Sequence, residues 1–139
     1  MSIEEQLIKD SFNGAATEGA VALALLELGI SLPPSYLSFV SEKNGGEGFV
    51  GENYLSLWKV EELAQFNADY QVAKYAPGFL FFASNGGGEG YAFDTTVEAF
   101  PIHIIPFIGM SREDAIPVSQ SFDGFFEALR RDEFWPTHS

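Results

Sequence analysis

Four sets of closely spaced carboxylates are the residues of this chain most suited to chemistry. They are Glu47 and Glu52, Glu61 and Glu62, Glu89 and Asp94, and Glu113 and Asp114. Two carboxyl groups held about 5–9 Å apart in a cleft can hydrolyse a glycosidic bond. Among 20 acidic residues, however, such neighbours arise by chance, and their spacing places no pair in a cleft. An acidic solvated or partner-binding surface is therefore the preferred interpretation, and a small carboxylate-dependent hydrolase is the alternative.

Other catalytic and metal-binding residue types are scarce in the sequence. The chain has no cysteine and two histidines, His103 and His138, and it contains no GxSxG nucleophile turn or EF-hand loop. His103 lies in an alternating apolar segment, where we expect a strand residue with a hydrogen-bonded imidazole rather than a general base. The sequence predicts no catalytic residue, no metal and no cofactor. A Ca²⁺ or Mg²⁺ site made only of carboxylates is the alternative that the acids leave open.

The glycine-rich segment ASNGGGEGYAFD, residues 83–94, has two interpretations. A phosphate-binding loop would have the pattern GxxxxGK[ST], or GxGxxG between a strand and a helix. Here the glycines lie between two strand-like segments, no lysine follows them, and Glu89 places negative charge where a phosphate would bind. The pattern therefore favours a hairpin turn in which glycines supply positive φ angles, with a ligand loop as the alternative.

The net charge limits the classes of partner. With 7 basic and 20 acidic residues the charge is −13, which disfavours nucleic acids and anionic membranes and favours basic partners. Acidity that serves only solubility is the alternative. The first ten residues lack the basic region of a signal peptide, and the longest apolar run is shorter than the ~20 residues of a membrane span. We expect a cytoplasmic protein without membrane insertion, and the lack of cysteine fits a reducing compartment.

Helices and strands that would position these residues can be read along the chain. Helices are predicted over 2–10, over 18–28 between an N-cap at Thr17 and a terminating Gly29, from Pro34 to before Asn44, from Val60 to between 70 and 75, and from Ser121 to Arg131. The helix over 18–28 is apolar nearly all round, so we expect its sides to be covered by the core or by a partner chain. Tyr36, Phe39 and Val40 share one face of the second helix.

Period-two patterns predict the strands. They lie at 49–50 and 54–58, forming a hairpin around 51–53, at 78–83, at 91–94 and at 102–105. The continuous apolar run at 78–83, which includes Phe81, predicts a central strand covered on both faces. Together these elements predict an α+β fold: a single compact domain over 1–139 with a mixed or antiparallel sheet flanked by about four helices.

Five segments, taken in order, resemble the SUKH superfamily and specifically its Smi/Knr-type branch. They are LPPSYLSFVSEKNGG (32–46), LSLWKVEELAQFN (55–67), PGFLFFASNGGGEGYAFD (77–94), IHIIPFIG (102–109) and SFDGFFEAL (121–129). The resemblance covers about 30–130. It implies a compact α+β domain whose matched residues mostly determine the fold: Leu32, Pro33, Tyr36, Phe39, Asn44, Gly45, Leu57, Trp58, Gly86, Gly88 and Tyr91, to which the strand pattern adds Phe81.

The resemblance also implies a function without an active site. Bacterial members are commonly immunity proteins that neutralise a cognate polymorphic or contact-dependent toxin, often a nuclease, and fungal relatives are regulatory adaptors of cell-wall synthesis. We therefore expect a non-enzymatic protein-binding module whose partner is a cognate, basic toxin, with a regulatory or scaffold protein as the alternative. Six residues on predicted loops or strand ends are the candidates for partner contact: Glu47, Glu52, Asn53, Trp58, Glu89 and Asp94. For Trp58, packing in its own domain is the alternative, and Trp135 is expected to fasten the tail.

Overall fold

The computed structural model describes residues 14–132. The predictions made for residues 2–10, Trp135 and His138 lie outside this range. Six strands form one antiparallel sheet in which spatial order equals chain order. The strands are β1 (Gly46–Val50), β2 (Asn53–Leu57), β3 (Phe79–Ser84), β4 (Glu89–Asp94), β5 (Ile102–Pro106) and β6 (Ile116–Ser119). The predicted α+β class is confirmed, and the sheet is antiparallel throughout.

Five α-helices accompany the sheet within residues 14–132. They are α1 (Glu18–Leu28), α2 (Pro34–Val40), α3 (Leu63–Asp69), α4 (Val72–Tyr75) and α5 (Phe125–Arg131). Short 3₁₀ helices at Val60–Glu62 and Phe122–Gly124 precede α3 and α5, and a third lies at Arg112–Asp114. The helix predicted from Val60 is interrupted, because Gln71 adopts a left-handed φ of 56° and separates α3 from α4.

Helix α1 begins and ends at the predicted residues. The Thr17 hydroxyl accepts a hydrogen bond from the Ala20 N–H at 3.0 Å, and Gly29 closes the helix with a φ of 72°. The expectation that its sides are covered is not met within residues 14–132. Leu23 and Leu26 are 58% and 78% exposed, and only the opposite side of the helix packs on the core.

One face of the sheet, here called the first face, carries the larger core. Helices α1, α2 and α5 and the start of α3 cover it. Tyr36 of α2 packs edge-on against Phe82, Phe93 and Phe122, with ring centroids 5.3–5.8 Å apart. Burial raises the pKa of the Tyr36 hydroxyl. Aromatic pairs of this geometry stabilise a core beyond their buried area.

Asn44 connects the end of α2 to the helix that follows β2. Its buried side chain accepts the Val60 N–H at 2.8 Å through Oδ1 and donates to Glu61 through Nδ2. This hydrogen bond from Asn44 is the main reason that the pKa of Glu61 is lowered. The side chain thereby satisfies the first turn of the Val60–Glu62 helix.

The residues that the family resemblance selects occupy several environments. Leu32, Tyr36, Asn44, Gly45, Leu57, Phe81 and Tyr91 are buried, Pro33, Phe39 and Trp58 are partly buried, and Gly86 and Gly88 are exposed in a turn. Gly45, Gly86 and Gly88 have positive φ angles. These environments are compatible with a role in folding, which remains a prediction.

The opposite face of the sheet, here called the second face, is only partly covered. Helix α4 and the segment around Met110 and Ala115 pack on it over a smaller core. The buried residues of this core are Val72, Ala76, Phe79, Phe81, Ala92, Ile105 and Met110. Phe79 to Ala83 of β3 are buried without alternation, so the predicted central strand with two covered faces is confirmed.

Strand β6 is absent from the sequence prediction. It is four residues long, contains Pro117 and pairs with β5 at the edge of the sheet, where Pro117 lies opposite His103. An edge strand tolerates proline because one side of its backbone needs no partner. A segment this short with proline inside it does not show the period-two pattern on which the prediction depends.

Candidate protein-binding site

Helix α3 is fastened to β3 by the side chain of Asn67. Its amide nitrogen donates to the Phe81 carbonyl at 2.9 Å, and its amide oxygen accepts the Phe81 N–H at 2.8 Å. These bonds satisfy the backbone of β3 next to the register irregularity between Phe81 and Ala83. Docking α3 in this way places Phe66 and Tyr70 beside Trp58.

An aromatic groove lies where α3 meets the second face. The groove has a volume of about 380 Å³ and is lined by Trp58, Phe66, Tyr70, Ser84, Gly86, Gly88 and Phe107. Tyr70 stacks on Phe107 with centroids 4.4 Å apart, and Trp58 lies 6.2 Å from Tyr70 in a nearly parallel plane. Phe66 meets Trp58 edge-on at 4.9 Å. Within residues 14–132, the side chains lining this groove carry no formal charge.

The glycine-rich segment forms one wall of the groove. It is the predicted hairpin turn between β3 and β4, in which Gly86 and Gly88 have φ angles of 73° and 102°. Gly86 also lies under the Tyr54 ring, since an added Cβ would come within 2.9 Å of that ring. A Cβ at Gly90 would overlap the rings of Phe81 and Phe107. The glycines therefore make the turn and also provide space for aromatic rings.

Aromatic and acidic side chains continue the groove across the second face towards β1. Phe49 lies directly opposite Tyr54 in the β1–β2 pair, with ring centroids 5.3 Å apart. The Tyr54 hydroxyl donates a hydrogen bond to Glu47, and this bond is the main reason that the pKa of Tyr54 is raised. Phe49 is exposed, and so is Ile108, next to Phe107 at the other side of the groove.

The two hairpin turns, around 51–52 and 85–88, lie at the same end of the sheet. The register shows this, because β2 pairs with β3 through Ser56 and Ser84, and β3 pairs with β4 through Ser84 and Gly90. We call this end, with the aromatic groove and Phe49, Tyr54, Glu47, Glu52 and Glu89, the turn-end surface. It combines exposed rings with carboxylates. Its rings and Glu47 lie on the part of the second face that, among residues 14–132, only the end of α3 reaches.

The structure brings together some of the six predicted contact residues. Trp58 lines the groove, Glu47 lies on the same face, and Glu52 is exposed in the β1–β2 turn. Glu89 begins β4 beside the turn, where it accepts a hydrogen bond from Asn85 Nδ2 at 2.8 Å. Alternation along β4 directs it to the same face as Tyr91, which is the first face, so Glu89 lies at the turn end of the sheet but not on the second face.

Asn53 and Asp94 have partners within the chain. The Asn53 amide donates to the Leu129 carbonyl at 2.7 Å and to Asp132, which ties the β1–β2 hairpin to α5. Asp94 is buried at the far end of β4, where it pairs with Arg112 at 3.3 Å. These contacts give both side chains structural partners, and their role in partner binding remains a prediction.

His103 and Asp94 share the second face at its far end, where they line one cleft with Ser119, whose hydroxyl donates to the Ser121 carbonyl at 2.8 Å. The His103 ring packs edge-on against Phe79 at 5.2 Å, and burial lowers its pKa. Its buried Nδ1 has no partner among residues 14–132, but a hydrogen bond with the Pro101 backbone acts to raise the pKa of the ring, so the hydrogen-bonded imidazole stays a prediction. Burial would raise the pKa of Asp94, but hydrogen bonds from Thr96 and the charge and hydrogen bond of Arg112 together lower it.

In residues 14–132, no three side chains of histidine, cysteine, aspartate or glutamate are grouped so that they could hold a metal ion. None of the helices in that part of the chain has the length and hydrophobicity needed to cross a bilayer.

Sequence reasoning missed most of the groove. The helix predicted from Val60 includes Phe66 and Tyr70, but its predicted bounds do not show that these rings line the groove while Leu63 enters the first-face core. Phe107 follows β5, and no motif or hydrophobic period in the sequence assigns it to a binding site. No local sequence pattern predicts that Asn67 binds the backbone of β3. A signal was present only for the pair Phe66 and Tyr70, whose spacing of four residues places them on one side of α3.

Comparison with known families agrees with this architecture. The model of the SMI1 / KNR4 family (SUKH-1) matches residues 15–128, a span that includes all six strands and helices α1 to α4. A search of curated proteins finds no match. The family model covers most of the chain and confirms the resemblance seen in the five sequence segments. The chain therefore belongs to the SMI1 / KNR4 family (SUKH-1).

Proposed function

We propose that this protein is a non-enzymatic binding module and that it neutralises a cognate toxin by covering a basic surface of that toxin. Membership of the SMI1 / KNR4 family supports an immunity or regulatory role that depends on binding another protein. The observation that carries the proposal is the uncovered part of the second face, where exposed aromatic rings and carboxylates lie side by side. Aromatic side chains surrounded by polar ones are typical of binding hot spots.

The charge of the chain supports a basic partner. Its three arginines are held by carboxylates of the same chain, Arg112 by Asp94 and Arg130 and Arg131 by Glu127. With 20 acids against 7 basic residues, most carboxylates have no basic residue to offset them. Such a surface steers a positively charged protein towards it and accelerates association at low salt. A nuclease toxin fits this requirement, because a nuclease is basic where it binds phosphates.

Charge reversal at the turn-end surface tests the proposal. The partner is first identified by co-purification with the tagged protein from its native cells, and its affinity is then measured by calorimetry. The test variant carries Glu47→Lys, Glu52→Lys and Glu89→Lys. The matched control carries Glu27→Lys, Glu98→Lys and Asp123→Lys, three exposed acids elsewhere that give the same change in net charge.

We expect the turn-end variant to bind at least about tenfold more weakly and the control to remain within about threefold of the wild type. Equal weakening of both variants would mean that only net charge matters, and unchanged affinity in the test variant would refute the proposed surface. A recovered partner that regulates growth and has no toxic activity would instead favour the regulatory function. Circular dichroism confirms that both variants are folded.

A further inference from the structure

We propose that the aromatic groove is a binding site for an arginine side chain of the partner protein. This inference rests on the proposed function, because it assigns the chemistry of one contact at the same surface. The groove is lined by the rings of Trp58, Tyr70 and Phe107, whose planes lie within 16° of one another, and Tyr70 is 41% exposed. A planar guanidinium group stacks on such faces, and an ammonium group does so less well.

The protein's own Arg112 shows how a guanidinium group binds elsewhere on this face of the sheet. Its Cζ lies 4.5 Å from the centre of the Phe79 ring. Nη1 donates to the Pro77 carbonyl at 2.7 Å, and Nη2 donates to the Asp94 carboxylate at 3.3 Å. An aromatic face, a main-chain carbonyl and a carboxylate therefore form the arginine site at the far end of the second face.

The groove shares aromatic rings and main-chain atoms with the Arg112 site, but its lining contains neither a carboxylate nor a cation from residues 14–132. Gly86 and Gly88 line it, and because glycine has no side chain, the atoms they contribute belong to the main chain. The Gly88 carbonyl accepts the Phe107 N–H at 2.9 Å, whereas the Gly86 carbonyl accepts no hydrogen bond from any residue of the described range 14–132. Ser84 adds a hydroxyl acceptor to the lining.

Charge complementarity selects arginine over a neutral group for this groove. The chain carries a net charge of −13, and the lining of the groove contributes no positive charge to oppose a cation. Glu47, on the same face, contacts Tyr54, whose ring lies over Gly86 of the lining. A partner arginine that enters the groove would leave bulk water next to ring faces and main-chain acceptors, which strengthens a cation–π contact.

Titration of the ¹⁵N-labelled full chain with a small probe tests the site without the partner. The probe is N-acetyl-arginine methylamide, and the neutral control is the citrulline analogue, which has nearly the same shape. Saturable shifts are expected at the Trp58 indole N–H and at the amides of Gly86 and Gly88. The citrulline compound should bind at least about threefold more weakly, the lower range of an exposed cation–π contact.

Two variants identify the groove as the source of the shifts. Tyr70→Leu removes a lining ring and should abolish the preference for arginine over citrulline. Tyr75→Leu is the matched control, because Tyr75 is similarly exposed, 47% against 41% for Tyr70, and lies outside the groove lining. It should leave the titration unchanged.

The results separate this inference from the proposed function. Equal shifts from arginine and citrulline, a preference for arginine that persists in Tyr70→Leu, or no shifts at the groove would each overturn the arginine site. If the arginine probe does not bind the groove but the charge-reversal variant still binds the toxin more weakly, the arginine site is refuted and the proposed function is retained. If the probe binds the groove but charge reversal leaves the affinity for the toxin unchanged, the arginine site is supported and the turn-end surface is refuted as the toxin-binding surface.

Discussion

The two faces of the sheet differ in how completely the chain covers them. On the first face, three helices and the start of a fourth bury an aromatic core around Tyr36 and Phe82. On the second face, α4 and the segment near Met110 cover the middle, while Trp58, Tyr70 and Phe107 remain accessible at the turn end. Rings on the first face therefore serve mainly stability, and the accessible rings of the second face are available for binding.

A second contrast lies within the second face itself. At its far end, Arg112 already occupies the Phe79 ring and the Asp94 carboxylate. At the turn end, the rings that line the groove have no such occupant in the described part of the chain. One end therefore holds an arginine of the chain itself, and the proposal assigns the other end to an arginine of the partner.

The largest effect is expected on the first face. Phe82→Ala removes a fully buried ring that contacts Tyr36, Phe93, Phe122 and Phe125. The free energy of unfolding, measured by urea denaturation, should fall by about 3–5 kcal/mol because a cavity remains. Tyr70→Ala should cost less than about 1 kcal/mol, since this ring is partly exposed. Similar losses of unfolding free energy in Phe82→Ala and Tyr70→Ala would show that rings on the two faces contribute equally to stability.

An intermediate effect is expected at the junction that docks α3. Asn67→Ala leaves the N–H and C=O groups of Phe81 without their side-chain partners, and an unsatisfied buried polar group costs about 1–3 kcal/mol. We expect a loss of about 2–3 kcal/mol in the free energy of unfolding and a change in Trp58 fluorescence. The variant Trp135→Phe leaves Trp58 as the single tryptophan and provides the background for this measurement. Native-like stability would show that α3 is held by its apolar contacts alone.

The smallest effect concerns Asp94 and Arg112 and depends on pH. The pKa of Asp94 in the folded protein lies below its ordinary value of 3.8, so the carboxylate contributes stability above about pH 3.8 that is lost as the pH falls through the folded value. The stability difference between the wild type and Asp94→Asn, from urea unfolding at a series of pH values, should therefore shrink below about pH 3.8. Thr96→Val removes one hydrogen-bond donor to Asp94, so its stability difference from the wild type should also shrink below about pH 3.8, by a smaller amount. A constant difference across the series would argue against the ion pair as its cause.

Much of the fold could be predicted because its signals are local. Thr17 and Gly29 define α1 through capping and left-handed geometry, and the apolar run at 78–83 identifies the central strand. The break at Gln71 could not be predicted, because no glycine or proline marks that left-handed residue. Strand β6 is short and contains Pro117, so its place depends on pairing with β5 rather than on its own pattern.

The candidate site was less predictable because distant segments build it. Trp58 was selected from its position at a strand end, but its neighbours Tyr70 and Phe107 come from a helix and from the segment after β5. Exposure of Leu23 and Leu26 likewise depends on which side of α1 meets the core, which an apolar sequence does not specify. This exposed side of α1 is the rival surface for partner binding.

Hydrogen–deuterium exchange of the protein with and without its identified partner shows whether the turn-end surface is the binding site. Binding should slow exchange at the turn end, in residues 51–53, 85–89 and 107–109, and leave residues 21–30 of α1 and the following turn unchanged. Slowed exchange confined to α1, with no change in the two hairpin turns, would instead assign partner binding to the exposed leucines of that helix.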